Sequence, residues 1–325
     1  MSIDNAAPAV DWRWCVAAVG WVALTAAAHL EFSIWLVSPR QTPFGPFAFK
    51  ALVPWLALVT GGGLLWLAGR QVRAAGLRSH RAIAWAVWLM AVVAVDRWLT
   101  YSVNELAHYP QYALLGWLLA RALDPRRDRL VAARVLVLAT LMGAADEAAQ
   151  YLWVAATYGD YFDFNDVLVD TLGAALGLLV YYPATACRRW QRPPLPAGTW
   201  AAVAGLVLLV GSGFASGRCF VDPPAPVPRG GILRDEAGVP RLYLQREPGA
   251  YGSVREGHRH ASYRVLSPRQ GLLLSGLAVG VFGFLLGGGR RSIDAPMVVS
   301  SLTGRGRAAD ATTPGPMTDH LERGK

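Results

Sequence analysis

The chain has 325 residues, 54% of them hydrophobic and 16% charged. Soluble domains carry about 25% charged residues, and the apolar residues here fall in runs of about 20, enough to cross a bilayer, so an integral membrane protein is expected rather than a soluble helical one. The net charge of +9 is almost wholly arginine, since lysine occurs only at Lys50 and Lys325; it sits between apolar runs without an Arg-and-aromatic stripe, which argues against a nucleic-acid partner.

Eight spans are expected in a polytopic all-α bundle, at about 14–37, 49–69, 82–101, 103–122, 131–153, 165–185, 199–217 and 270–288. The first follows a polar opening with no small-residue cleavage site, so it reads as a retained span rather than a signal peptide. His29 and Glu31 near its far end read as interfacial. The third and fourth would overshoot a membrane as one helix, so a tight turn is expected at Ser102–Asn104. Arginine then orients the spans. Arg70, Arg73, Arg78 and Arg81 follow the second, Arg121, Arg126, Arg127 and Arg129 the fourth, and Arg188, Arg189 and Arg192 the sixth. Ser102–Asn104 and Ala155–Phe164 carry no Lys or Arg. The positive-inside rule places both termini in the cytoplasm of a plasma (inner) membrane.

One segment breaks the pattern. Arg218–Pro268 is expected outside yet holds eight Arg against five Asp or Glu; segments this long translocate with less regard for charge. Its Pro/Gly punctuation and the strand-like Leu242–Gln245 suggest a small loop or hairpin domain. The expected units are 1–81 with two spans, 82–185 with four, 186–290 with two spans and the 218–268 loop, and a disordered cytoplasmic tail, 291–325. Cys15, Cys187 and Cys219 are far apart, so neither a disulfide framework nor a metal-ligand spacing is expected, and no cofactor.

This topology brings polar residues of four spans to one side. Asp96 and Arg97 end the third. Glu105 and His108 start the fourth, Asp146, Glu147 and Gln150 end the fifth, and Asp163, Asn165, Asp166 and Asp170 start the sixth. Glu105, His108 and Tyr112 share a helix face by spacing, as do Asp146 and Gln150, and as do Asp166, Asp170, Gly173 and Gly177. The last stripe ends in GxxxG, whose missing side chains let another helix approach. Asp163 also suits a helix N-cap, with Asp166 as a capping-box partner. The rest could be a structural hydrogen-bond network, but such contacts return only about 1 kcal/mol each in membranes, while a carboxylate there costs about 3 kcal/mol. That imbalance favours a functional site.

The ordered pattern His108-Tyr109, Tyr112, Leu115-Gly116, then Asp146-Glu147 and Gln150, then Phe162-Asp163, Asp166-Val167, Gly173 and Gly177 resembles the VanZ-like family of bacterial membrane proteins over about residues 82–185. The resemblance implies a four-span core and a cell-envelope context linked to glycopeptide antibiotic resistance. The chain departs from the family at Asn104-Glu105, often Asp-Lys, at Gly159-Asp160, often Gly-Arg, and at Asp170, often Asn. Bases are lost and acids gained, which argues against an anion-binding role. The acids then require protonation, or pairing with Arg97, a metal ion or the Arg-rich loop.

Three readings remain. In the first, the pocket binds a membrane lipid, a lipid-linked envelope precursor or an amphipathic antibiotic. In the second, an intramembrane enzyme acts on a lipid headgroup or phosphate ester, with His108 as base, Asp146 or Glu147 orienting it, and Asp166 as acid or metal ligand; no GxSxG or HExxH supplies a nucleophile or zinc site. In the third, a proton-coupled transporter uses Asp170 as carrier.

Overall fold

A computed structural model describes residues 10–42, 45–47, 49–127, 131–157, 159–182, 197–227 and 230–287. It is mostly helical. Among the described residues eight α-helices form on the eight apolar runs: α1 (Trp12–Val37), α2 (Val53–Ala75), α3 (His80–Trp98), α4 (His108–Leu123), α5 (Ala132–Ala149), α6 (Phe164–Tyr181), α7 (Ala197–Ala215) and α8 (Pro268–Gly287). Among the described residues three stretches are long and apolar enough to cross a membrane: Phe164–Tyr181, Gly198–Ala215 and Pro268–Gly287. The break at 188–192, Cys187 and the tail 291–325 lie outside the described residues, as does the side chain of His29.

Local chemistry sets the helix ends. Ser79 caps α3 by accepting from Ala82 N (3.1 Å), and Asp163 caps α6 by accepting from Asn165 N (2.8 Å) and Asp166 N (3.4 Å). The turn between α3 and α4 is a 3-10 segment, Val103–Ala107, so α4 starts at His108 rather than near 103. Glu105 closes that turn by accepting from Tyr101 N (3.0 Å) and Ser102 N (3.2 Å). The end of α5 widens into a π turn, Gln150–Val154.

The bundle is built around α6, whose membrane-length stretch is 89% buried. Its partner α4 lies close against it because glycines on each helix face the other helix at the crossing. A Cβ at Gly116 would stand 2.5 Å from Ala174 O, one at Gly173 would stand 2.9 Å from Tyr112 Cβ, and one at Gly177 would overlap Ala113 O. Backbone-to-backbone approach of this kind is how small residues drive helix association in lipid. The other side of α6 packs on α5, α8 and α3. By contrast α7 is apolar along its length yet only 6% buried, with Val207, Leu208 and Leu209 exposed. On α2, Trp55, Leu58, Val59 and Trp66 are exposed as well. An all-round apolar helix left bare is at home in lipid, not water.

The two ends of the bundle differ. At one end Arg81 donates to Leu179 O and Tyr182 O, and Gln71 Nε2 donates to Leu179 O (3.2 Å), satisfying carbonyls that the last turn of α6 leaves open. Gln71 Oε1 accepts from Arg81 Nε (2.7 Å) and Trp85 Nε1 (3.0 Å). Tyr182 donates to Asp124 Oδ2 (2.8 Å) at the foot of α4. At the other end, residues 218–268 form a cap with more order than a loop. Three strands, β3 (Cys219–Phe220), β4 (Ile232–Arg234) and β5 (Pro240–Tyr243), pair in the order β3-β5-β4, parallel then antiparallel. A hairpin follows, β6 (Val254–Glu256) with β7 (Ser262–Arg264). A further short hairpin, β1 (Arg40–Thr42) with β2 (Gly45–Phe47), has no forewarning in the sequence pattern.

Candidate functional site

The capped end is where the ionisable side chains meet. His108, on the first turn of α4, is 2% exposed, and its Nδ1 lies 2.8 Å from Oδ1 of Asp170, which is 0% exposed. Its other nitrogen, Nε2, lies 3.8 Å from Asp166 Oδ2, one turn earlier on α6. Tyr112, one turn along α4, stacks on the imidazole with ring planes 5° apart. Its hydroxyl donates to Asp146 Oδ2 on α5 (2.8 Å). Gln150, in the π turn, donates to Asp146 Oδ1 (3.2 Å) and Glu147 Oε1 (3.3 Å). The widened turn carries Gln150 back over the two acids that precede it. Asp170 fits against α5 because residue 143 is glycine: a Cβ there would stand 2.6 Å from Asp170 Oδ2. The structure therefore brings His108, Tyr112, Asp146, Glu147, Gln150, Asp166 and Asp170 into one buried cluster from three helices.

The orienting partner of His108 is Asp170, not Asp146 or Glu147. Spacing alone does not distinguish these acids, because the choice depends on how far α6 rolls against α4. Gly173 and Gly177 set that roll. Glu105 closes the preceding turn and stands at the cavity wall.

Above the cluster lies a cavity of about 460 Å³. Glu105, Glu147, Asp163 and Asp166 line its deeper part, with Tyr101, Asp160, Tyr161, Arg255, Glu256 and Tyr263 toward the cap. Six carboxylates thus face one guanidinium, and that guanidinium already pairs with Asp160 (2.9 Å). Burial, then the neighbouring Asp166, pushes the half-buried Asp163 carboxyl up to about 8. Burial, then Asp163, pushes the Tyr161 hydroxyl above its ordinary value.

The cap is fastened by contacts that are distant in sequence. Asn165 is a buried staple. It donates to Leu99 O and Arg264 O (both 2.9 Å) and accepts from Leu266 N (3.0 Å), tying the end of α3, the hairpin and the approach to α8. Asp96, at the end of α3, pairs with Arg259 Nε (2.5 Å) and lies 3.4 Å from His260. Phe162 N donates to Leu244 O (2.8 Å) and Arg246 N to Asp160 O (2.7 Å). Among the described residues the Arg-rich loop does supply cations, but to Asp160 and Asp96 rather than to the inner acids. No local sequence pattern marks Arg81, Gln71 and Asn165 as ties between elements. Only the placement of an Arg or Asn beside an apolar run hinted at them.

A second cleft, of about 390 Å³, lies between α3, α6 and α8. Val87, Ala91, Trp98, Leu168, Leu172 and Leu277 line it, and its surface is almost entirely apolar. Leu99 borders it, two residues from Tyr101 in the polar cavity, and Leu168 borders it, two residues from Asp166.

Comparison with curated proteins and with solved structures gives no match. The VanZ/LLP1 family model matches residues 64–187. The matched region includes α3 to α6 and the whole buried cluster, and leaves α1, α7, α8 and the cap outside it. Residues 64–187 of this membrane protein are a VanZ/LLP1 family domain.

Proposed function

We propose that this chain is an eight-span envelope protein whose VanZ/LLP1 domain binds the head of an amphipathic molecule in the cavity beneath its cap. The observation that carries the reading is a carboxylate-lined cavity beneath the cap in a molecule that also holds an apolar cleft between α3, α6 and α8. Such a pair suits a molecule with a polar head and a hydrocarbon tail. A bare phosphate would face six carboxylates and one engaged arginine, so the head that fits brings ammonium or hydroxyl donors. A membrane lipid, a lipid-linked envelope precursor or an amphipathic antibiotic enters on those terms. A role in glycopeptide tolerance belongs to the same proposal.

Orientation follows from charge. Arg70, Arg73, Arg78 and Arg81 and the Arg121–Arg127 stretch lie at the end away from the cap, which makes that end cytoplasmic by the positive-inside rule. With eight crossings, an even number, both termini would lie on that side. The cap and cavity then face the extracytoplasmic side. The test is photo-crosslinking in membranes with photoactivatable phosphatidylethanolamine and phosphatidylglycerol. Labelling at Tyr101, Tyr161 and Tyr263 that favours the amine-bearing lipid supports the reading. Labelling confined to α2 and α7, or unchanged by Glu147→Gln, counts against it.

One observation favours a second reading, an intramembrane enzyme. The Asp170–His108 pair orients an imidazole whose Nε2 faces the cavity-lining Asp166, as a carboxylate-oriented general base would be held. Turnover of a headgroup ester by purified protein, lost in His108→Gln, would establish it.

A further inference from the structure

We infer that the buried cluster beneath the cavity holds a divalent metal ion, ligated by His108, Glu147 and Asp170. This deepens the reading above, since it names what neutralises the acids packed beneath that cavity.

The first ground is geometry. His108, Glu147 and Asp170 come from three helices, all three are buried, and each offers one ligand atom such that these atoms lie within 4.8 Å of one another. A tetrahedral ion with bonds of about 2.1 Å draws its ligand atoms to about 3.4 Å apart, a movement that side-chain rotation supplies. One imidazole with carboxylates is a donor set that suits zinc or manganese.

The second ground is an unmet need. Asp170 is 0% exposed, and its Oδ2 has no hydrogen-bond partner; neither does the buried Oδ1 of Asp166, whose other oxygen lies 3.8 Å from His108. A buried polar atom without a partner is costly and rare in a native structure. The third ground is charge. Asp146, Glu147, Asp166 and Asp170 sit together, and among the described residues His108 is the only basic side chain that ion-pairs with any of them. Lone carboxylates in a membrane interior are expensive, and a bound cation offsets that expense. Asp146 is held by Tyr112 and by Gln150, which also holds Glu147. This is the supporting shell that a ligand carboxylate uses to stay oriented.

The experiment uses the full-length protein, extracted from membranes without chelator. Metal content is measured by inductively coupled plasma mass spectrometry. Stripped protein is then titrated with Mn²⁺ and followed by electron paramagnetic resonance. The expected result is about one equivalent of zinc or manganese per chain, in line with a dedicated protein site. Glu147→Gln, which keeps the shape, should weaken Mn²⁺ binding tenfold or more, while Arg259→Ala at the cap leaves it unchanged. Wild-type protein that is folded by its melting transition, purifies without metal and leaves the Mn²⁺ spectrum free overturns the inference. So does Mn²⁺ binding that Glu147→Gln leaves intact. If Glu147→Gln does not fold, the wild-type titration decides alone. Metal binding without lipid labelling removes the function proposed above and leaves this site standing; lipid labelling without metal does the reverse.

Discussion

Replacing Gly177 by alanine tests whether the approach of α4 to α6 is what assembles the site. The added Cβ would overlap Ala113 O and stand 2.9 Å from Trp117 N. Both are backbone atoms inside α4, so no side chain can swing away, and the helices must part by about 1 Å; overpacking of this kind costs about 1–3 kcal/mol, with backbone overlap at the upper end. Alanine returns about 1 kcal/mol as a better helix former, leaving a net loss of about 2 kcal/mol. Gly173→Ala is the graded comparison. Its Cβ would stand 2.9 Å from Tyr112 Cβ and 3.0 Å from Tyr109 O, a milder clash that helix propensity roughly cancels. At Gly280 nothing lies within 4 Å, so alanine there should be neutral or slightly stabilising. The assay is thermal unfolding of detergent-solubilised protein, followed by tryptophan emission, since Trp88 and Trp117 report on the bundle. Gly177→Ala should melt lowest of the three. A Gly177→Ala protein as stable as the Gly280→Ala protein would refute the close approach.

At the opposite end, Arg81→Leu should lose about 2 kcal/mol by leaving Tyr182 O without its side-chain donor and Leu179 O with Gln71 alone; unchanged unfolding would show that water or lipid headgroups satisfy Tyr182 O. Asn165→Ala removes three hydrogen bonds that tie the cap to α3 and the start of α8. Hydrogen exchange across residues 254–266 should rise several-fold, and protection equal to wild type would mean the cap is held by its ion pairs instead. Asp163 supplies a pH test. Its carboxyl is raised to about 8 in the fold, by burial and then by Asp166, with Glu105 and His108 also facing it. The folded state therefore takes a proton more readily than the unfolded chain. Stability is greatest below the ordinary carboxylate range and declines as pH rises toward about 8. Asp163→Asn keeps a capping oxygen and removes the charge, so its melting advantage over wild type should grow from pH 5 to pH 8 and then level off. An advantage that is flat or shrinks over that range contradicts the assignment.

The helices were legible in the sequence because lipid asks one simple thing of it, an apolar run of adequate length. Each of the eight runs carries a helix within a few residues of its expected bounds. Three of the eight carry a stretch long and apolar enough to span by itself; α4 and α5 do not, since they spend their ends on polar residues and adjoin a 3-10 and a π turn. Alternation of ends, together with 3- and 4-residue spacing, was enough to foresee His108, Tyr112, Asp146, Asp166 and Asp170 at one end of the bundle. What spacing could not decide is which acid faces the imidazole, since the roll of α6 is set by contacts of Gly116, Gly143, Gly173 and Gly177 with other helices. The cap was legible only as Pro/Gly-punctuated loop. Its order comes from hooks such as Arg259 to Asp96 and Asn165 to Arg264 O, across 163 and 99 residues of sequence. No local pattern encodes them.

The central claim is that the cavity beneath the cap receives the head of an amphipathic molecule. Its most direct test is a cryo-electron microscopy structure in nanodiscs of native membrane lipid. The account predicts density for a polar head among Glu105, Asp163 and Tyr263, continuing as a chain along Trp98, Leu168 and Leu277. A water-filled cavity, with lipid density only on the outer faces of α2 and α7, would contradict it.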